Sequence, residues 1–135
     1  MTDKELCRLA VQAMDNSYSP YSGCKVGAAL LCENGDVFTG CNIENAAFSP
    51  SICAERTAVF KAVSEGRRDF LKIAVAGGKG GTVTGVFAPC GVCRQVLREF
   101  CPDDFEILLV SGADEFERTT LAGLLPISFR PEEVL

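Results

Sequence analysis

Val26-Gly27-Ala28-Ala29-Leu30-Leu31-Cys32-Glu33-Asn34-Gly35-Asp36-Val37-Phe38-Thr39-Gly40-Cys41 reads as a β-hairpin. The apolar run from Val26 to Cys32 has the length of a buried strand. Asn34-Gly35 accepts the positive φ values that a tight turn demands, and Val37 to Cys41 returns. Upstream, Thr2-x-x-Glu5 fits a capping box, and Leu6, Leu9, Ala10, Ala13 and Met14 follow at helical spacing. This predicts a helix to about Asn16, then a loop punctuated by Pro20 and Gly23. Downstream, a helical pattern starts around Ser51, carries Ala54, Ala58, Val59, Ala62 and Val63 on one side, and closes at Gly66. Leu71 to Ala76 reads as a strand and Gly77 to Gly85 as a Gly-rich loop. Pro89 suits the first turn of a helix bearing Cys90, Cys93, Val96, Leu97 and Phe100, which Pro102 ends. Glu106 to Ser111 is a further strand, and Leu121 to Leu125 a short helix before a tail with Phe129. Strands joined by helices of this length imply parallel pairing, with the hairpin as an antiparallel edge. The expected architecture is a mixed sheet in an α/β sandwich, one domain over residues 1–135.

The composition narrows the chemistry. The chain has 135 residues, is 47% hydrophobic and carries a net charge of -5. That balance argues against a nucleic-acid partner, whose phosphates would demand clustered Lys and Arg. The only adjacent basic pair is Arg67-Arg68, read as a solvated loop after a helix. No stretch approaches the length of apolar chain that spans a bilayer, and the charged N-terminus does not read as a signal peptide. The sequence predicts a cytoplasmic protein without membrane contact. Eight cysteines and no histidine point, in such a compartment, to free thiols with metal or redox chemistry rather than disulfides.

Cys90 and Cys93 are three apart at a helix start, so their side chains point the same way. Cys53 lies at the start of the preceding helix. Two helix N-termini can thus aim at one point, each lending unpaired N–H groups and partial positive charge. Such a place favours thiolates and suits Zn2+. Three thiolates around one Zn2+ leave a surplus negative charge, which opposes ionisation of bound water. Arg56 and Arg94 directly follow the cysteine motifs and are expected to draw charge from the sulfurs. Glu55, two residues beyond Cys53, is placed to move protons without ligating the metal. Taken alone, Glu55 would read as a helix N-terminal acid, and both arginines as surface ion-pair partners.

Cys53-Ala54-Glu55 with Pro89-Cys90-Gly91-Val92-Cys93 resembles the signature of the zinc nucleoside deaminases. The likeness extends over nearly the whole chain. Ser19-Pro20-Tyr21-Ser22, Val26-Gly27-Ala28-Ala29-Leu30, Gly40-Cys41-Asn42-Ile43-Glu44-Asn45-Ala46, Cys53 to Ala58, Cys93-Arg94-Gln95 and Leu124-Leu125-Pro126 with Phe129 are all similar to the small, homotetrameric cytidine deaminases. The resemblance implies a three-layer sandwich with helices on both faces of the sheet. It implies one zinc per subunit held by Cys53, Cys90 and Cys93, with Glu55 as proton shuttle. Asn42 and Glu44 are expected on the ribose at its 3′-hydroxyl, so that cytidine and deoxycytidine both serve as substrates. The Ala54 N–H is expected on the pyrimidine carbonyl, and Phe129, donated by a neighbouring subunit, stacked on the ring. The implied reaction converts these nucleosides to uridine and deoxyuridine with release of ammonia, a step of pyrimidine salvage.

Two positions depart from the pattern. Many members carry an aromatic residue where Cys24 stands and Tyr where Phe48 stands, which bears on substrate preference more than on reaction class. Other readings stay open at the level of sequence. A cytosine-bearing antibiotic could be the substrate. A structural zinc module would recruit Cys41 or Cys101 as fourth ligand. A redox protein would use Cys90-Gly91-Val92-Cys93 alone, leaving Cys53 and Glu55 without a role.

Overall fold

The computed structural model describes residues 1–135. Helix α1 (Asp3–Ala13) starts at Thr2, whose hydroxyl accepts from the Glu5 N–H at 3.1 Å while Glu5 Oε2 accepts from the Thr2 N–H at 2.9 Å. Both halves of the capping box are therefore present. A 3-10 turn, Met14–Asn16, carries the helix to its expected end. Strands β1 (Cys24–Cys32) and β2 (Val37–Cys41) form the hairpin, with Gly35 at φ 97° in its turn. There follow α2 (Ala54–Ser64), β3 (Phe70–Lys79), α3 (Gly91–Phe100), β4 (Glu106–Gly112), β5 (Glu115–Thr120) and α4 (Leu121–Leu124).

The five strands lie in the order β2-β1-β3-β4-β5. Only β3 and β4, joined through α3, pair in parallel. Strands β2 and β3, joined through α2, run the same way but are not neighbours, because β1 lies between them antiparallel to both. Strand β5 is absent from the sequence reading. Three of its six residues, Glu115, Glu117 and Arg118, are exposed and charged, as suits an edge strand that must not recruit further strands. Strand β3 also runs on through Gly77 and Gly78, which the sequence assigns to a loop.

Two helix starts move inward from their expected places. Ser51 and Ile52 are extended, with Ile52 bridged to Ile43, so α2 begins at Ala54. Cys90 is extended at φ -68°, ψ 168°, so α3 begins at Gly91 and Pro89 lies outside it.

Alternate strand residues face opposite sides. Ala28, Leu30, Ile73, Val75, Ile107 and Leu109 pack on Ala58, Val59, Leu97 and Leu121 of α2, α3 and α4. Ala29, Leu31, Ala74, Ala76, Leu108 and Val110 pack on Leu6, Cys7, Ala10 and Met14 of the α1 side. This is the three-layer arrangement. Each fully buried Leu or Ile contributes about 1.5–3 kcal/mol relative to exposure. At the sheet end remote from the cysteines, Lys72 Nζ pairs with Asp3 at 2.9 Å and Glu106 at 3.0 Å, and Arg118 pairs with the same two carboxylates. Arg67 pairs with Asp36, and Arg68 donates to the Val63 carbonyl, so both members of the basic pair are engaged within the chain. No helix is long and apolar enough to cross a membrane.

Candidate active site

Helices α2 and α3 both start from a cysteine. Cys53 and Cys90 are their N-cap residues, extended in backbone, and neither side chain caps its own helix. The first N–H groups of both helices are left without helical acceptors. The position of α2 depends on Gly40 of β2, where a Cβ would fall 2.6 Å from both Ala54 O and Ala58 N. Only glycine lets the helix start lie this close to the strand.

The three sulfurs converge. Cys53 Sγ lies 3.7 Å from Cys90 Sγ, Cys90 Sγ lies 3.6 Å from Cys93 Sγ, and all three fall within 4.8 Å of one another. A tetrahedral Zn2+ at about 2.3 Å from each sulfur sets them about 3.8 Å apart, so the donor set fits zinc with little adjustment. Neither Cys41 nor Cys101 joins the group. Three protein ligands and an open fourth position suit a catalytic rather than a structural zinc site.

Arg56 Nη2 donates to Cys53 Sγ at 3.4 Å. The Cys93 thiol, donating to Cys53, and this guanidinium bring the Cys53 thiol down to about 5 against the cost of burial. Cys93, fully buried, is pushed up by the proton it gives to Cys53 and by burial. The core thus already favours negative charge on sulfur at Cys53, where a cation would be bound. Arg94 behaves differently from the expectation. Its Nε donates to Pro89 O at 2.7 Å and its Nη1 to Leu124 O at 2.8 Å, so it braces the start of α3 against α4 and touches no sulfur.

Glu55 is 4% exposed, and its Oε1 is buried without a hydrogen-bond partner. Burial first, then the negative charge of Cys53, raise its carboxyl to about 7. A buried carboxylate oxygen left without a partner is costly. One titrating near neutrality beside a metal-binding cluster is suited to taking up and giving back a proton.

A cavity of about 490 Å3 opens over Cys53, Cys90 and Glu55 and reaches Asn42 and Glu44 at its far end. Ala54 lines it at the first position of α2, where the N–H has no helical acceptor. Asn42 and Glu44 share one side because the segment between them is extended and pinned. Ile43 bridges Tyr18 on one side and Ile52 on the other. Phe48, Val26 and Phe87 add apolar wall. Val26, read from the sequence as part of a buried strand, and Phe87 are wall residues that the sequence does not single out. Cys24 does not line this cavity. Its carbonyl accepts from Asn42 Nδ2 at 2.8 Å. Phe129 also stands away from it, exposed, with its carbonyl held by Gln95 Nε2 at 2.8 Å. Arg98 Nη2 approaches Leu125 O at 3.4 Å, so α3 holds the tail at Leu124, Leu125 and Phe129.

A mixed sheet between helix layers, with three cysteines and one buried Glu at converging helix starts, defines a zinc hydrolase site. The family model of the cytidine and deoxycytidylate deaminase zinc-binding region matches residues 1–109. The chain belongs to the cytidine and deoxycytidylate deaminase family. It is 46% identical to a cytidine deaminase of Sporosarcina psychrophila over 134 residues, covering 99% of this chain and 96% of the relative. Its fold matches the crystal structure of cytidine deaminase from Burkholderia pseudomallei with a TM-score of 0.88 at 43% identity, over 96% of this chain and 100% of that one. It also matches the cytidine deaminase structure from Mycobacterium tuberculosis, with a TM-score of 0.79 at 37% identity, over 96% and 98% of the two chains.

Proposed function

We propose that the chain works as one domain that hydrolyses cytidine and deoxycytidine to uridine and deoxyuridine, releasing ammonia, in cytoplasmic pyrimidine salvage. The observation that carries this reading is the buried Glu55 carboxyl, its Oε1 without a partner, beside three zinc-spaced sulfurs in a cavity that also carries an amide and a carboxylate. Zinc, one per subunit on Cys53, Cys90 and Cys93, supplies the acidity that makes water a nucleophile at neutral pH.

The chain's own groups do the rest. Glu55 takes the proton that water gives up on adding to C4 and places it on N3. It then carries the second proton of that water, from the hydroxyl now on C4, to the exocyclic amine, so that the C4–N bond breaks, ammonia leaves and a carbonyl remains at C4. The Ala54 N–H donates to the pyrimidine carbonyl. Asn42 and Glu44 hold the 3′-hydroxyl, so a 2′-hydroxyl is not required. Arg56 draws charge from Cys53. Phe129, exposed in the single chain, stacks on the base of a neighbouring subunit in a homotetramer.

Purified protein is incubated with cytidine, deoxycytidine and cytosine, and the ultraviolet change is followed before and after zinc chelation. Turnover of both nucleosides, little turnover of free cytosine, and loss of turnover with zinc are expected. Turnover that survives the loss of zinc would overturn the mechanism. Light scattering that gives a monomer would overturn the assembly.

A further inference from the structure

The hydrogen bonds at the far end of the cavity are almost fully spent. Glu44 Oε1 accepts from the Tyr21 N–H at 2.9 Å and the Ser22 N–H at 3.1 Å, and Glu44 Oε2 accepts from the Ser22 hydroxyl. Asn42 Oδ1 accepts from the Val26 N–H at 2.9 Å and from the Ser17 hydroxyl, while Asn42 Nδ2 donates to Cys24 O at 2.8 Å. A carboxylate or amide oxygen offers two acceptor sites and an amide nitrogen two protons. What remains is one acceptor site on Glu44 Oε2 and one N–H on Asn42. Ser22 decides which way that acceptor faces. Its oxygen accepts from the Cys24 N–H at 3.0 Å, so its proton is turned toward Glu44.

We infer that Ser22 is a positioning residue. It locks Glu44 so that, with Asn42, the cavity presents one donor and one acceptor and selects a single unsubstituted sugar hydroxyl, which takes the amide proton and gives its own to the carboxylate. The inference rests on the reading of Asn42 and Glu44 as sugar-binding groups. A phosphate or ether at that hydroxyl has no proton to give and is excluded. The hydrogen bonds from Ser22 and from the loop N–H groups already hold the Glu44 carboxyl below its usual range, keeping it an acceptor at neutral pH.

The test compares wild type, Ser22→Ala and Ser22→Thr on cytidine and on 3′-deoxycytidine. With cytidine, Ser22→Ala is expected to raise KM about tenfold with kcat nearly unchanged, the scale of one hydrogen bond to a charged group. With 3′-deoxycytidine, wild type and Ser22→Ala are expected to have the same kcat/KM, since no hydroxyl is there to be read. Ser22→Thr, which keeps the hydroxyl, restores the wild-type KM for cytidine. Equal losses on both substrates, or no loss on cytidine, would overturn the role of Ser22 alone. A wild-type enzyme that does not distinguish the two substrates would overturn the sugar-binding reading beneath it. A wild-type enzyme inert on both cytidine and deoxycytidine would overturn the deaminase reading as well.

Discussion

Helix α1 and the pair α2 and α3 begin in opposite ways. Helix α1 has its first N–H groups closed by Thr2 and Glu5, and it packs on a face of the sheet where no metal-binding group gathers. Helices α2 and α3 begin at Cys53 and Cys90, which cap nothing. A helix whose start is closed by its own side chains contributes stability. One whose start is left open forgoes on the order of 1 kcal/mol of capping and keeps its N–H groups and dipole for a ligand. The same element thus serves scaffold on one face and chemistry on the other.

Several substitutions sharpen or break this contrast. The largest effect is expected at the open starts. Cys90→Ala should abolish both zinc binding and deamination, whereas Glu55→Gln should keep one zinc per chain and lower kcat by about 10²–10⁴-fold. Elemental analysis beside turnover separates the two, and retention of zinc by Cys90→Ala would break the assignment. Arg56→Gln should follow with a drop of about tenfold in kcat/KM, in keeping with second-shell changes at metal sites. Arg94→Gln should leave zinc content unchanged, since its guanidinium holds only carbonyls.

Gly40→Ala should cost about 1–3 kcal/mol of stability in denaturant titration and lower kcat as well, because its Cβ must push the start of α2 away. At the closed start, Thr2→Ala should cost about 1 kcal/mol and leave kcat/KM untouched. A change in activity there would mean that the two faces are coupled.

The smallest effect concerns acid. Arg118 and then Lys72 hold the Asp3 carboxyl below its usual range, and Lys72 and then Arg118 do the same for Glu106. Both groups lose their protons more readily folded than unfolded. The stability they supply is therefore complete above the usual carboxylate range of about 4 and drains as pH falls through their depressed folded values. In Lys72→Met, thermal midpoints should fall less steeply with acid than in the wild type.

The parts of the molecule that the sequence reveals are those where chemistry needs a fixed residue type. The hairpin shows through Asn34-Gly35, the α1 cap through Thr2 and Glu5, and the thiol cluster through the spacing of Cys53, Cys90 and Cys93. Strand β5 stays hidden because an exposed edge strand carries no apolar alternation, and the end of β3 because Gly77 and Gly78 carry no side chain to alternate. The insertion of β1 between β2 and β3 leaves no local trace, since order in a sheet is set by packing across it. Ser17 and Ser22 differ. Ser17 lies outside every motif, while Ser22 closes the Ser19-Pro20-Tyr21-Ser22 block with no role attached to it, and the role of each exists only once the fold brings Asn42 and Glu44 beside it. Arg94 shows the reverse error, in which a motif neighbour of the cysteines points along the backbone instead.

The grip of α3 on the tail has one more consequence. Arg94, Arg98 and Gln95 all grasp carbonyl oxygens, at Leu124, Leu125 and Phe129. Every amino acid carries that oxygen, so these three holds do not depend on which side chains the tail bears there, although Leu124 and Leu125 also pack on the core and Arg130 pairs with Asp103. In the single chain Ile127 and Phe129 ride on this mount with their side chains exposed, so replacing Phe129 removes the contact proposed with a neighbouring subunit without unseating the helix that bears Cys93.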